Sequence, residues 1–353
     1  MEDNKSYVID KLLEEDNPYK VSAEEYFNTT EEDYNNFDTY SWTKGNGYSC
    51  PNFPIFDEKM EGLEDGLYLF AAESNMGKSA LMSNLIWDYC TNPENNLFGV
   101  YFALDDSKNE MIPRLISMLE MIPISVCSKP NRYKEKIDSG EENSSLYQEW
   151  LQKREHGLQT LKDLKNRFKI EDSEKLNCGE KILDYCKKLK DFVKGYDPNT
   201  NLIIGIDSLF DLTFASKNFK SDKEKNEYIA QEIKRWAKVE IKAPIFGTIH
   251  LRKIDKRRAD ISDVKESGRY VYDASVVFLL HNDVSRNGQN AIIYNTSPDV
   301  EEFLPVIEVQ WAKNKKSSFK GITYCNLISN YSKVTECTLE QMNRFNNLRF
   351  SSK

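Results

Sequence analysis

From Phe53 onward, short apolar runs alternate with longer amphipathic stretches along the chain. Five of the runs hold mostly apolar residues, as expected for strands buried on both faces of a parallel sheet. The stretches between them repeat apolar residues at helical spacing and predict crossover helices. The pattern therefore predicts an α/β fold, with a mainly parallel twisted sheet flanked by helices. The predicted strands are GLYLFAA (66–72), FGVYFAL (98–104), NLIIGID (201–207), APIFGTI (243–249) and SVVFLLH (275–281).

Three parts of the chain depart from this alternation. The acidic start is rich in Asn and Tyr, which predicts a partly ordered arm with one short helix at YVIDKLLEE, suited to an interface or a linker. Residues from about 125 to 200 carry two helical stretches and predict a helical insertion between the second and third strands. After residue 290, two β-rich runs around a lysine-rich turn predict a C-terminal β-hairpin. We expect an arm (1–50), a core domain (51–335) and a polar tail (336–353).

Composition narrows the protein class. The 353 residues, 39% of them hydrophobic, are enough to bury a substantial core. There is no run of 18 apolar residues, and the N-terminus lacks the pattern of a secretory signal, so we expect a cytoplasmic protein that does not engage a membrane. The seven cysteines and three histidines have the spacing of neither a zinc site nor a disulfide framework.

Charge is distributed unevenly. The formal net charge is -9, but residues 1–66 contain 17 acidic and 5 basic side chains, so the remainder is about +3 by subtraction. That remainder includes the basic stretches LRKIDKRR (251–258) and WAKNKKSSFK (311–320). A basic stretch alone is usually a solvated surface. Local basic loops are nevertheless compatible with nucleic-acid binding in an acidic protein.

The segment AAESNMGKSA (71–80) follows a predicted buried strand and opens an amphipathic helix. This context is typical of a loop whose backbone N–H groups cradle a triphosphate. Lys78 would reach the β- and γ-phosphates, and Ser79 would hold Mg²⁺. The usual pattern has glycine where Ala72 stands, and alanine can serve if the backbone there does not need a positive φ. The predicted nucleotide-binding residues are Ala72, Glu73, Ser74, Asn75, Met76, Gly77, Lys78, Ser79 and Ala80.

Carboxylates end two other predicted strands. Asp207 follows four aliphatic residues in NLIIGID, at the sheet edge where α/β proteins bind ligands. An acid there is often a helix cap, but with a phosphate loop upstream it predicts a second Mg²⁺ ligand beside Ser79. Asp105 and Asp106 end the strand in YFALDDS, where a carboxylate could polarise an attacking water.

In this order, the motifs resemble the RecA-like ATPase domain of the DnaB-type replicative helicases. That family also tolerates alanine in place of the first glycine of its phosphate loop. The resemblance covers about residues 53–334. It rests on FPIFDEKMEGLEDG before the loop, AAESNMGKSA, FALDDS, IGIDSLFDL, TIHLRK, ISDVKESGRYVYDASVVFLLHND and WAKNKKSSFKG.

The resemblance implies roles for individual residues. Asp105 falls on the catalytic acid, usually glutamate in the family, and Asp106 is the alternative base. His250 falls on the γ-phosphate sensor, which is usually glutamine in DnaB and is histidine in phage primase-helicases and the mitochondrial helicase. Lys313 and Lys315 fall on a basic turn that acts on the neighbouring subunit's γ-phosphate, with Lys316 as a further candidate. Lysine there keeps the charge but lacks the planar fork of arginine.

The resemblance thus implies an ATP-dependent, ring-forming helicase that translocates on single-stranded DNA, a homohexamer with a primase or loader as further partner. The brevity of residues 1–50 favours a phage-type variant without the collar domain, acting in a bacterial host cytoplasm. The alternatives are a RecA-like ATPase that loads or remodels a protein, and a degenerate nucleotide-binding paralogue with a structural role. The predicted DNA contacts are Lys217, Lys220, Lys223, Arg252, Lys253, Lys256, Arg257 and Arg258.

Overall fold

The computed structural model describes residues 31–39, 41–42, 45, 47–252, 254, 257–264, 268–296 and 303–351. The chain divides into two units, 1–47 and 48–353. In the first unit, residues 31–39 are helical, with Tyr34 and Phe37 exposed to solvent. The helix predicted at YVIDKLLEE lies outside the described residues.

The described residues of the second unit form one sheet of ten strands. Six neighbouring strands are parallel, in the order β6-β1-β5-β4-β2-β3, and the others are antiparallel. The strands are β1 (Gly66–Ala72), β2 (Leu97–Ala103), β3 (Phe168–Asp172), β4 (Asn201–Asp207), β5 (Pro244–His250), β6 (Val276–Asn282), β7 (Tyr294–Thr296), β8 (Phe303–Asn314), β9 (Ile322–Ile328) and β10 (Lys333–Glu336).

Helices cover both faces of the sheet. They are α1 (Pro54–Met60), α2 (Lys78–Thr91), α3 (Lys108–Glu120), α4 (Ile124–Ser128), α5 (Pro130–Asp138), α6 (Ser144–Asp163), α7 (Gly179–Tyr196), α8 (Asp222–Arg235), α9 (Gly268–Asp273), α10 (Asp283–Asn287) and α11 (Leu339–Ser351). Along β1, alternate side chains enter two separate cores, because successive residues of a strand point to opposite faces. Phe70 packs on the side of α2 and α3, and Leu69 on the side of α7 and α8.

This architecture confirms the predicted α/β class, the mainly parallel sheet and the C-terminal hairpin, which is formed by β8 and β9. The order places β1 between β5 and β6, with Ala72 in register with His250. The carboxyl ends of β1, β2, β4 and β5 consequently meet at one edge of the sheet. Among the described residues, no helix is both long and apolar enough to cross a membrane.

The structure corrects two predicted segments. The insertion at about 125–200 is not purely helical, because it contains β3, which pairs in parallel with β2. The tail 336–353 is not merely polar. It contains α11, whose Met342 and Phe345 are buried against Tyr324 and its neighbours.

Candidate nucleotide-binding and catalytic site

The phosphate loop connects β1 to the first residue of α2. Gly77 precedes the helix with a φ of 92°, and Asn75 has a φ of 62°, so the chain turns sharply between strand and helix. Lys78 is only 7% exposed, and its ammonium donates to the carbonyl of Ala72 at 3.2 Å and of Glu73 at 2.9 Å. The loop thus places one buried cation beside the N-terminus of a helix, where anions are favoured.

The first and sixth residues of the loop face different constraints. Ala72 is the last residue of β1, is fully buried and lacks a positive φ, so this position does not require glycine. At Gly77, an added Cβ would lie 2.6 Å from Cδ1 of Ile307, in a backbone conformation that disfavours other residues. The condition under which alanine can replace the first glycine is therefore met.

The loop borders a cavity of about 590 Å³ at the carboxyl edge of the sheet. The cavity brings together the loop and residues at the ends of β2, β4 and β5 that the sequence separates by up to about 170 positions. Among its lining residues are Ser74, Asn75, Gly77, Lys78, Ser79, Ala80, Asp105, Asp106, Arg114, Asp207, His250 and Ser285.

Asp207 is held in a fixed orientation at the end of β4. One carboxylate oxygen accepts a hydrogen bond from Tyr101 at 2.6 Å, and the other accepts one from Thr248. The carboxylate is nearly buried but borders the cavity, as Ser79 does. Together they form an oxygen donor set of the kind that Mg²⁺ prefers. The sequence reasoning missed Thr248, although it stands two residues before His250 and therefore on the same side of β5.

Asp105 and Asp106 differ in their partners. Asp106 forms an ion pair with Arg114 at 2.6 Å, and Arg114 was not among the predicted residues. Asp105 is exposed toward the cavity, and partial burial together with Asp211, Asp106 and Asp207 raises the pKa of its carboxyl. Of the two, Asp105 is the better placed to accept a proton from water, because the carboxylate of Asp106 is already engaged by a guanidinium.

His250 lies where β5 ends, stacked on the ring of Phe210 at a centroid distance of 6.0 Å. Burial and the nearby Lys78 lower the pKa of its imidazole below the ordinary value of 6.5. The ring is therefore neutral near pH 7 and can donate one hydrogen bond into the cavity. Burial also lowers the pKa of Lys78, an effect opposed by Asp207 and Asp105.

The lysines of the basic turn lie at the opposite end of the sheet. The backbone N–H of Lys315 bonds to Ser275, which in turn bonds to Leu67, five residues before Ala72. That separation corresponds to about 17 Å along a strand, more than a lysine side chain spans. The Lys313 ammonium donates to the carbonyls of Val271 and Tyr272, Lys315 contacts Tyr272, and Lys316 pairs with Glu64.

The predicted DNA contacts fall into different environments. Arg258 is paired with the buried Glu308 at 2.7 Å, so it is part of the internal structure. Arg257 is half exposed and pairs with Asp263 at 2.6 Å. Arg252 is exposed, and so are Lys217, Lys220 and Lys223, the latter three before or at the start of α8. Lys253 and Lys256 lie outside the described residues.

Comparisons of the sequence and of the fold with known proteins both agree with the family that the motifs resemble. The chain is 25% identical over 248 residues to the replicative DNA helicase DnaB of Leifsonia xyli subsp. xyli, a match that covers 67% of this chain and 47% of that relative. The chain thus spans about half the length of this relative.

Two solved structures share the fold. One, described as an ATPase domain, has a TM-score of 0.66 at 19% identity, covering 88% of this chain and 98% of that one. A DnaB-like replicative helicase, solved to describe its interactions with primase, has a TM-score of 0.61 at 20% identity, covering 89% of this chain and 67% of that one. The family profile described as the DnaB-like helicase C-terminal domain matches residues 51–332, and the chain belongs to this family.

Proposed function

We propose that this chain is an ATP-dependent helicase subunit that assembles into a homohexameric ring and translocates on single-stranded DNA. The observation that carries the proposal is the cavity bordered by Lys78, Ser79, Asp207, Asp105 and His250. A cation on a phosphate-binding loop, two oxygen ligands, a carboxylate with a raised pKa and a neutral imidazole are together suited to phosphoryl transfer to water.

Each group has a separate task. Lys78 binds the β- and γ-phosphates, while Ser79 and Asp207 hold Mg²⁺, which neutralises charge on the phosphates when bound. Asp105 orients the attacking water and accepts its proton. His250 donates a hydrogen bond to the γ-phosphate and immediately precedes the basic loop (residues 251–264), so it can report the nucleotide state to that loop.

The position of the basic turn supports the proposed ring. Lys313 and Lys315 are too far from the phosphate loop of their own chain to reach its nucleotide. In a head-to-tail ring they would face the nucleotide of the adjacent subunit. Arg252, Arg257 and the lysines near α8 would contact the DNA backbone. The structure of a DnaB-like replicative helicase and its interactions with primase supports a primase as the proposed partner. A loader is the alternative partner, and a bacterial host cytoplasm is the proposed setting.

The test is an ATPase assay with and without single-stranded DNA, with the mass of the assembly measured by light scattering. We expect Mg²⁺-dependent turnover that DNA stimulates several-fold, in an assembly of about six chains. Turnover that is indifferent to DNA would support an ATPase that remodels or loads a protein. Nucleotide binding without turnover would support a structural paralogue.

A further inference from the structure

Glu73, in the phosphate loop, makes contacts that nucleotide binding alone does not require. Its carboxylate lies 2.8 Å from Nη1 of Arg286 on α10, and its Oε1 accepts the backbone N–H of Ile254 at 2.9 Å. Nη2 of Arg286 donates to the backbone carbonyl of the same Ile254. One ion pair therefore holds both polar backbone groups of a loop residue. We call Glu73, Arg286 and Ile254 the loop clamp.

The loop clamp is mostly buried. The side chains of Glu73 and Arg286 are 20% and 16% exposed, and Ile254 is buried. Charge-assisted hydrogen bonds in such surroundings are stronger than those of a surface ion pair. The two charged residues also border a second cavity of about 430 Å³, which shares Ser74 and His250 with the nucleotide cavity.

The clamp contacts the basic loop in its first half. Ile254 is four residues after His250 and three before Arg257. The ends of the loop are joined to each other, by a bridge between Leu251 and Val264 and a hydrogen bond from Arg252 N–H to the Asp263 carbonyl at 3.3 Å. The phosphate loop bonds to two described residues of this loop: the N–H of Leu251 donates to the carbonyl of Ala72 at 3.2 Å, and Ile254 is held through the side chain of Glu73.

Glu73 also touches the phosphate-binding lysine, because its carbonyl accepts the Lys78 ammonium at 2.9 Å. We propose that the loop clamp transmits the state of the phosphate loop to the basic loop, with Arg286 as a positioning residue. When the Lys78 ammonium turns toward a bound phosphate, its hydrogen bond to the Glu73 carbonyl breaks. The resulting shift of Glu73 passes through its carboxylate to Ile254 and moves Arg252 and Arg257 of the same loop. The proposal rests on the proposed nucleotide binding and adds how it is coupled to the DNA-contacting loop.

Hydrogen–deuterium exchange on the full chain tests this coupling without DNA. Exchange is measured with and without a non-hydrolysable ATP analogue and Mg²⁺, at saturating nucleotide. Peptides covering 72–80 report nucleotide binding, and peptides covering 251–264 report the basic loop. In the wild-type protein we expect nucleotide to change exchange in both regions.

Arg286→Gln removes the ion pair and should abolish at least half of the nucleotide-dependent change in 251–264, while protection of 72–80 persists. Arg286→Lys keeps the positive charge beside Glu73 but loses the planar guanidinium that bonds to two partners. We therefore expect a nucleotide-dependent change in 251–264 between those of the wild type and Arg286→Gln. The matched control is Arg344→Gln, because Arg344 also donates to a backbone carbonyl, that of Tyr294 at 2.9 Å, and lies on α11. It should respond as the wild type does.

An unchanged response of 251–264 in Arg286→Gln, or no response there in a wild-type protein whose 72–80 region is protected, would overturn the coupling. Absence of protection at 72–80 in the wild type would instead reject the proposed nucleotide binding, and the coupling with it. Thermal melting establishes that each variant is folded. If Arg286→Gln does not fold, the comparison of Arg286→Lys with wild type decides the question by the same criterion.

Discussion

The two ends of the parallel sheet carry similar charges in very different surroundings. At the carboxyl end, Lys78 lies in a backbone cradle next to the carboxylates of Asp105 and Asp207, around a cavity. At the amino end, Lys313 and Lys315 bond to carbonyls near the end of α9, beside the exposed ring of Tyr272. The carboxyl end thus brings a cation, carboxylates and a cavity together, whereas the amino end presents cations bonded to backbone carbonyls.

This difference suggests complementary roles for the two ends in the proposed ATP hydrolysis. Under the proposed function, the cations of the amino end act on a nucleotide bound at the carboxyl end only between two chains, since the length of the sheet separates the two ends within one chain. The contact is then heterologous, and repeating it closes a ring if the rotation allows. The following predictions ask whether the two ends act on the same nucleotide.

The largest effect is expected at the carboxyl end. Lys78→Ala removes the loop's cation and should lower ATP turnover by about 10³-fold or more, since charge stabilisation at the phosphates is lost. Steady-state ATPase rates measure this. Lys136→Ala, at a surface lysine paired with Glu141, is the control. Turnover near the wild-type rate in Lys78→Ala would refute the site.

At the amino end, Lys315→Ala should lower turnover by about 10² to 10³-fold while ATP affinity is largely kept, because the charge acts in the transition state. Lys315→Arg should retain or raise activity. Lys316→Gln serves as the comparison, since Lys316 is already paired with Glu64 and only 11% exposed. A greater loss in Lys316→Gln than in Lys315→Ala would move the role to Lys316.

Mixing the inactive variants decides whether the two ends meet across an interface. Subunits carrying Lys315→Ala keep an intact phosphate loop, and subunits carrying Lys78→Ala keep an intact basic turn. Together they should recover part of the activity, because some interfaces then contain one complete site. If ATP turnover does not return although the subunits demonstrably exchange, the two ends do not form independent sites between neighbouring subunits.

Within the carboxyl end, Asp105→Asn should reduce turnover by about 10²-fold with little loss of ATP affinity, since it removes a base. Asp106→Asn should have the smaller effect on turnover, because Asp106 is engaged by Arg114. Turnover and nucleotide binding are measured separately for both variants. The opposite ranking would make Asp106 the base.

The acid limb of the pH profile gives an independent check. The pKa of Asp105 is raised above 3.8, chiefly by burial. As the pH falls through that raised value, the carboxylate becomes protonated and can no longer accept a proton from water. We expect kcat to fall about tenfold per pH unit below it, and the limb to lie above the pH at which an ordinary aspartate titrates. A limb at or below pH 3.8 would indicate another base.

The smallest effects concern the basic loop. Arg257→Ala should weaken DNA binding and reduce the slope of log affinity against log salt concentration by about one. The free energy of unfolding should be nearly unchanged. Arg258→Ala should instead lower the free energy of unfolding by about 1–3 kcal/mol, because buried Glu308 keeps Arg349 but loses the guanidinium of Arg258. Salt titrations of DNA affinity and denaturant unfolding distinguish the two. Equal effects of both variants would contradict this division.

How far the sequence predicts the structure depends on whether a signal is local. The phosphate loop and the strands were predicted because their signals lie within a few consecutive residues. β3 was missed because FKIED alternates charge with apolar residues, and only its pairing with β2 makes it part of the sheet. Arg257 and Arg258 are indistinguishable in a basic run, and the partner that separates them stands 50 residues further on.

The buried, extended backbone at Ala72 has a consequence for how such proteins are recognised. The first position of the loop belongs to the sheet and needs only a small side chain, whereas Gly77 is fixed by its φ and by Ile307. A search pattern that demands glycine at both places would pass over this chain. One that permits any small residue at the first and glycine alone at the second would retrieve it, because it follows the steric requirement of each position.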